Sequence, residues 1–295
     1  MDRVKLDKAA GILMKALASS SLLILFLIVI GLLSKSEMIL SAESLPQLIL
    51  SSDWKPSRGL FGFYPFITGT ILVTFSTMVF SVPLCLLAAI YLAEYASKGF
   101  RSTVKGGIDT LAGIPSVIFG LWGVLFIVPF IRDFVAPAFG YETSGYCILS
   151  GSLVLTLMVV PIMLSIMQEI IMSVPQDLKE SSYAVGATRW ETIKKIILPK
   201  TSAGLFSAVI LGFSRAFGET MAVLMVVGNV ASNAQSPFDP VYPLTALIAN
   251  NYGEMMSVPL YESALLFGAL LLLMLVVAFD LFARYVIRRL HAEGC

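Results

Sequence analysis

Long apolar runs separated by short charged stretches leave this chain few folds to choose from. A helix that crosses a bilayer needs about 20 mainly apolar residues, and six runs qualify, at roughly 11–33, 66–95, 107–131, 147–171, 203–229 and 261–284. Nothing between them is long enough to build a separate water-soluble core. Hydrophobic residues make up 57% of the chain and charged residues 13%, against about 45–50% and about 25% in soluble domains. The pattern predicts an all-α integral membrane protein of six transmembrane helices. Residues 1–65 read as an anchor helix and first outer loop, 66–285 as the transmembrane domain and 286–295 as a tail. The first run follows Arg3, Lys5 and Lys8 as a signal peptide would. No small-x-small cleavage site follows it, so it is expected to remain as an anchor.

The net charge is +1, so no overall field points to nucleic acid. Lys and Arg gather between alternate runs instead. With the N-terminus inside, the outer segments hold only Lys35, Lys55, Arg58 and Arg132, and Arg215 lies within a run. The rest of the twenty Lys and Arg fall inside. Because cytoplasmic loops retain positive charge, both termini are expected in the cytoplasm. The outer loops are expected at about 34–65, 132–146 and 230–260. The last of these, "NVASNAQSPFDPVYP", reads as an irregular surface, either a docking face for an extracytoplasmic partner or a connector. Cys85, Cys147 and Cys295 form no CxxC pair, so neither a disulfide framework nor a zinc site is indicated. His291, the sole histidine, sits in a charged tail and reads as solvated. Pro83, Pro115, Pro129 and Pro161 fall inside or near the ends of runs and are expected to bend them.

The segment "SVPQDLKESSYAVGATRWETIKKIILPK", residues 173–200, reads as two short helices. Ser173 suits the first cap, Pro175 its first turn and Gly186 its left-handed end. Thr188 and Glu191 stand in capping-box spacing for the second, Trp190, Ile193 and Ile197 form an apolar stripe, and Pro199 marks the next boundary. Such a loop could lie on lipid headgroups. Its spacing argues otherwise: Glu180 is followed by Gly186 six residues on, then by Ile196, Leu198 and Pro199. This resembles the EAA signature of ABC importer membrane subunits, E-A-A-x3-G-x9-I-x-L-P, with Ser181 and Ser182 in place of the two alanines. In that family the loop is a coupling helix that docks into a cleft on a cytoplasmic ATPase, a helix-in-groove mode of recognition. The implied fold is the MetI-like, type I importer permease.

The stretches "DWKP", "FGFYPFITGTILVT", "AIYLAEYA", "LAGIPSVIFGLWG" and "RAFGETMAVLMVVGN" look like the membrane subunits of phosphate-specific importers, nearer the PstC type than its PstA-type paralogue. The resemblance covers about residues 50–285. It implies a subunit of a prokaryotic cell membrane that works with a second, homologous permease (PstA-type), an ATPase dimer (PstB-type) and an extracytoplasmic phosphate-binding protein (PstS-type). This chain has no G-x4-GK[ST] phosphate loop, so it is expected to bind no cofactor, with ATP and magnesium used by the partner ATPase.

The fifth run carries Arg215 and Glu219 at what reads as mid-depth. A lone charge there costs on the order of 2.5–3.5 kcal/mol by insertion scales, so Arg215 must face protein or water. Glu219, one helical turn on, is placed to pair with it. Either the two form an orienting ionic link, or Arg215 lines a translocation path. In the second case it offers planar donors to phosphate oxygens, with Glu219 holding it and limiting how tightly an anion binds. Ser214 and Thr220 flank the pair as hydroxyl donors. Gly212 and Gly218 are expected to let helices approach, and the Met-rich run from Met158 to Met172 to fill the core. The function implied is ATP-driven import of inorganic phosphate. Import of another oxyanion such as molybdate or sulfate, a secondary transporter and a structural or channel-like protein remain as alternatives.

Overall fold

The computed structural model describes residues 3–293, and His291 and Cys295 lie outside the side chains it describes. The chain opens with α1 (Arg3–Lys35), α2 (Glu37–Ala42) and α3 (Leu45–Leu50), then a hairpin of β1 (Trp54–Lys55) and β2 (Leu60–Phe61). Next comes α4 (Tyr64–Ile90), which runs on into a π turn at Tyr91–Tyr95, and then α5 (Lys98–Ala112). A single rod follows, made of α6 (Ser116–Trp122), α7 (Val128–Phe130) and α8 (Ala136–Ala138) joined by π turns at Gly123–Ile127 and Ile131–Val135. After α9 (Ile148–Met172), the short α10 (Gln176–Ala184) and α11 (Arg189–Thr192) lead through a π turn at Ile193–Ile197 into α12 (Leu198–Phe217). Then come α13 (Met221–Val226), α14 (Leu244–Asn251) and α15 (Pro259–Glu293).

Six stretches are long and apolar enough to cross a membrane, the number expected: Ala10–Lys35, Tyr64–Tyr95, Ser116–Ala138, Ile148–Met172, Arg189–Phe217 and Pro259–Arg289. The third and fifth spans depart most from the sequence reading, the third ending at Ala138 instead of about 131 and the fifth beginning at Arg189 instead of about 203. The third span was expected from about residue 107 but starts at Ser116, because Gly113 and Pro115 end the polar-faced helix α5 first. The fifth was expected to continue to 229 but stops at Phe217, where Gly218 ends the helix and α13 restarts three residues later.

Three of the π turns have a visible cause. Each ends two residues before a proline, at Pro129, Pro137 and Pro199. A proline ring has no N–H and crowds the carbonyl four residues back, and widening the preceding turn by one residue relieves both problems without leaving the helix. Pro83 and Pro161 sit inside α4 and α9 without interrupting either helix.

Helix α9 is the central post: 67% of its most apolar window is buried, against none of that of α1. It packs on α4, α12, α13 and α5. Met158, Met163 and Met167 are core residues, as expected of the Met-rich run, while Met172 is exposed. Small residues set the spacing. A Cβ at Gly123 would lie 2.6 Å from Val154 and 2.9 Å from Val226, so this glycine lets the rod approach α9 and α13 closely. Ser152 donates to Ile148 O at 2.8 Å and reaches Val73 O of α4 at 3.3 Å.

A second core pins the hairpin segment to α15. Trp54 stands edge-on to Phe61, Phe63, Phe66 and Tyr261, with ring centroids 4.7 to 5.9 Å apart. The 230–260 segment is also less irregular than expected, because Leu244, Ala246 and Leu247 of α14 are fully buried. Gly123→Ala should overpack the rod against α9 and destabilise by about 1–3 kcal/mol. Gly106→Ala, in α5 with nothing within 4 Å of the new methyl, should stabilise by about 0.5–1 kcal/mol. Thermal denaturation of both variants in detergent checks the contrast.

Candidate translocation site and coupling loop

Depth along the bundle places Arg215. A Cβ at Gly212 would lie 3.0 Å from both Val159 and Met163, in the middle of α9. This bears out the close approach expected at Gly212. Arg215 is three residues on, roughly 4.5 Å along the axis, in the last turn of α12. Its side chain is exposed on the outer surface of the chain. Among the described residues it makes no ion pair and no side-chain hydrogen bond. A cation in the last turn of a helix is favoured by the partial negative charge of that helix end.

The expected pairing of Arg215 with Glu219 is not made. It required a continuous helix, and α12 ends at Phe217. Gly218 N–H donates to Ser214 O and Glu219 N–H to Ala216 O, both at 3.3 Å, closing the helix with short turns. Gly218 therefore terminates a helix and does not pack one: a Cβ there would meet only Ser214 O, at 3.7 Å. Beyond the break, Glu219 lies half-buried in a small cavity with Thr70 and Thr74 of α4, Pro243 and Thr245. Thr245 Oγ1 donates to Glu219 O at 3.0 Å, so a side chain from α14 satisfies backbone freed by the break. Thr220 is half-buried, its hydroxyl 3.4 Å from Gly218 O. Ser214 does not face Glu219; it donates to Asp280 Oδ1 of α15 at 3.1 Å, beside a Phe213–Phe279 stack with centroids 3.5 Å apart.

The 173–200 segment folds as two short helices, as its caps predict. Thr188 Oγ1 accepts from Glu191 N–H at 3.3 Å while Thr188 N–H donates to Glu191 Oε2 at 2.9 Å, a complete capping box. Gly186 has φ +85°, the left-handed conformation that favours glycine. Ser173 departs from expectation: it caps nothing in α10, because its hydroxyl donates back to Ile170 O at 2.7 Å, and Pro175 takes the N-cap position. The apolar stripe divides as well. Ile193 and Ile197 are fully buried, whereas Trp190 is 53% exposed. Leu178, Tyr183 and Val185 also point away from the chain.

Ser181, Ser182, Gly186 and Ile196 come together around a groove between α10 and the π turn that follows α11. Ser182 is buried against Thr192, with hydroxyl oxygens 2.9 Å apart, and Ser181 donates to Asp177 O at 2.7 Å. Glu180 and Pro199 are exposed and Leu198 half-buried, all outside that groove. Sequence reasoning missed three polar residues: Asp280, which holds Ser214, and Glu94 and Lys179, which meet in a buried ion pair. Each had a signal, an acid inside an apolar run for Asp280 and Glu94, and a lysine one place from the EAA glutamate for Lys179. Among the described residues no cluster of His, Cys, Asp and Glu could hold a metal ion.

A family model described as binding-protein-dependent transport system inner membrane component matches residues 81–292. A probable ABC transporter permease protein, YqgH, of Bacillus subtilis is 36% identical, over 92% of this chain and 86% of its own length. The phosphate transport system permease protein PstC of Xylella fastidiosa is 37% identical over 82% and 79% of the two chains. A probable phosphate transport system permease protein PstC of Methanocaldococcus jannaschii is 32% identical over 82% and 81%. Among solved structures, an inward-facing form of the MetNI methionine ABC transporter overlays with a TM-score of 0.56 at 20% identity, over 81% of this chain and 99% of that one. A bacterial ABC transporter involved in import of the acidic polysaccharide alginate overlays with a TM-score of 0.58 at 17% identity, over 98% and 99%. At these identities the overlays establish the fold alone.

Proposed function

This chain belongs to the family of binding-protein-dependent transport system inner membrane components, and on that footing we propose that it is the membrane-spanning, PstC-type subunit of an ATP-driven importer of inorganic phosphate. The relatives named for phosphate transport support the substrate. The observation that carries the reading is Arg215, a guanidinium at mid-depth with no partner among the described residues, facing out from the chain. Facing lipid it would cost about 2.5–3.5 kcal/mol or more. Facing a second permease subunit across an aqueous path, it presents a planar fork of donors that matches phosphate oxygens. Ser214, whose hydroxyl is bonded to Asp280, and Thr220 flank it in the chain as further hydroxyls, and Glu219, across the helix break, adds negative charge along the path that opposes permanent capture of an anion.

This subunit carries out no hydrolysis. The cytoplasmic ATPase dimer does so with ATP and magnesium, and an extracytoplasmic phosphate-binding protein delivers the substrate at the opposite face. Both termini and the 173–200 loop lie on the cytoplasmic side, in keeping with where Lys and Arg fall. The exposed Leu178, Tyr183, Val185 and Trp190 are the apolar surface that a cleft on the ATPase would cover. Glu180, Ser181 and Ser182 lie on the docking helix, Gly186 makes the turn that ends it, and Ile196, Leu198 and Pro199 lead its movement into α12.

Arg215→Ala should cut phosphate uptake by the assembled complex at least about tenfold, since a hydrogen bond to a charged group contributes about 1.5–3 kcal/mol; assembly should be unchanged. If assembly fails and the surviving complexes transport normally, Arg215 is structural. Competition by molybdate or sulfate in the same uptake assay separates the other oxyanions.

The Cβ of Gly186→Val meets no atom within 4 Å, but the residue must adopt φ +85°, at about 1–2 kcal/mol. The strain falls on an exposed turn, so the complex should assemble and hydrolyse ATP while uptake falls. Unchanged coupling would remove the docking role.

A further inference from the structure

The loop is tied to the transmembrane bundle by charge. Lys179 Nζ lies 2.6 Å from Glu94 Oε1, with the two side chains 10% and 6% exposed. Lys179 is on α10, and Glu94 is in the π turn that ends α4. The large apolar side chains of α10 and its end do not hold it in place: Leu178 and Tyr183, with Val185 just past the helix, are 40%, 40% and 84% exposed. Its other buried side-chain contact is Ser182 with Thr192, which joins α10 to its neighbour within the same loop.

The receiving end is built to be stiff. Arg101 Nε donates to Leu92 O at 2.7 Å and Arg101 Nη2 to Ala93 O at 2.8 Å, which satisfies two carbonyls of the π turn. Arg189, at the start of α11, sets its guanidinium 4.8 Å from the centre of the Tyr95 ring. Lys105 of α5 reaches Glu169 of α9 at 3.6 Å and closes the same end of the bundle. From Glu94, α4 runs about 30 Å at 1.5 Å per residue to Thr70 and Thr74, which line the cavity holding Glu219.

We propose that the Glu94–Lys179 pair is the strut that delivers displacement of α10 to α4, and through α4 to the wall of the Glu219 cavity. Both are positioning residues for coupling and neither touches the substrate. A buried ion pair is weak evidence of stability, because desolvation offsets most of the attraction. What it supplies is direction: a short, charge-assisted contact keeps one geometry, where an apolar contact slides. The proposal rests on the reading of this chain as an importer subunit driven by an ATPase docked on α10.

The test is the complete transporter in proteoliposomes, with phosphate uptake and ATP hydrolysis measured together. Glu94→Gln and Lys179→Met should each raise the ATP hydrolysed per phosphate imported at least about fivefold, the lower end of coupling between sites. The reversed pair, Glu94→Lys with Lys179→Glu, should return it toward wild type. Single variants as coupled as wild type, or an assembled reversed pair that stays uncoupled, would overturn the strut. If the single variants do not assemble, Glu94→Leu with Lys179→Met leaves no charge unpaired; it should assemble yet remain uncoupled, and full coupling there also refutes the proposal. Wild-type liposomes that import no phosphate would defeat the functional reading and not the strut. The strut is then judged by stimulation of ATP hydrolysis by the binding protein, which should fall in the single variants and return in the reversed pair.

Discussion

A bilayer interior offers no hydrogen bonds, so every backbone N–H and C=O at that depth must find its partner within protein. The places where this chain leaves a regular helix are therefore informative. At Pro129, Pro137 and Pro199 the departure is only a widened turn, and the helix continues. At Gly218 it is a true break, and it persists because the freed groups are served: the Ser214 and Ala216 carbonyls of α12's own last turn accept from Gly218 and Glu219, and Thr245 of α14 donates to Glu219 O. A break supported by a helix from another segment is a built feature, and it falls four residues or fewer from Arg215, Glu219 and Thr220. It also separates the two charges. With α12 unbroken, Arg215 and Glu219 would share a face and neutralise each other; with the break, the cation faces out and the acid sits in an interior cavity.

The same logic of supported irregularity governs the loop end. The π turn at Tyr91–Tyr95 precedes no proline, and Arg101 holds its carbonyls. Its acid, Glu94, is neutralised by a lysine from a different segment. Removing one member of such a buried pair costs about 3–5 kcal/mol, whereas replacing both by apolar side chains is often neutral. Evolution toward stability alone has no need of the pair, which is why its position between α10 and α4 reads as a matter of geometry.

Much of this architecture was legible in the sequence. The six runs announced six spans by length and hydropathy, and Thr188, Glu191 and Gly186 announced the ends of α10 and α11 through capping chemistry that acts within a few residues. The spacing of Glu180, Gly186, Ile196, Leu198 and Pro199 marked the family. What failed were inferences that needed tertiary information. Residues 107–112 are apolar enough to extend a span but belong to α5, because the helix ends at Gly113 and Pro115. Residues 218–220 look helical by composition, and the hydroxyl that Thr245 of α14 donates to Glu219 O helps make a break tolerable there. Ser173 had two helix ends within reach and took the earlier one. Glu94 and Lys179 are 85 residues apart, and no local pattern brings them together.

The exposure of Arg215 bears on what the functional unit must be. A chain that leaves a guanidinium exposed at what reads as mid-depth calls for a partner in a membrane, since lipid does not neutralise it and no acid among the described residues does so in this arrangement. Drawing Glu219 back onto α12 would require closing the break at Gly218 and giving up the Thr245 contact. Swinging Asp280 across would release Ser214. Both remedies dismantle something the chain has built, whereas a second subunit facing Arg215 across a hydrated path dismantles nothing. On physical grounds, then, the proposed site is half of an interface, and under that proposal an anion drawn to Arg215 would be held between two chains and not within one.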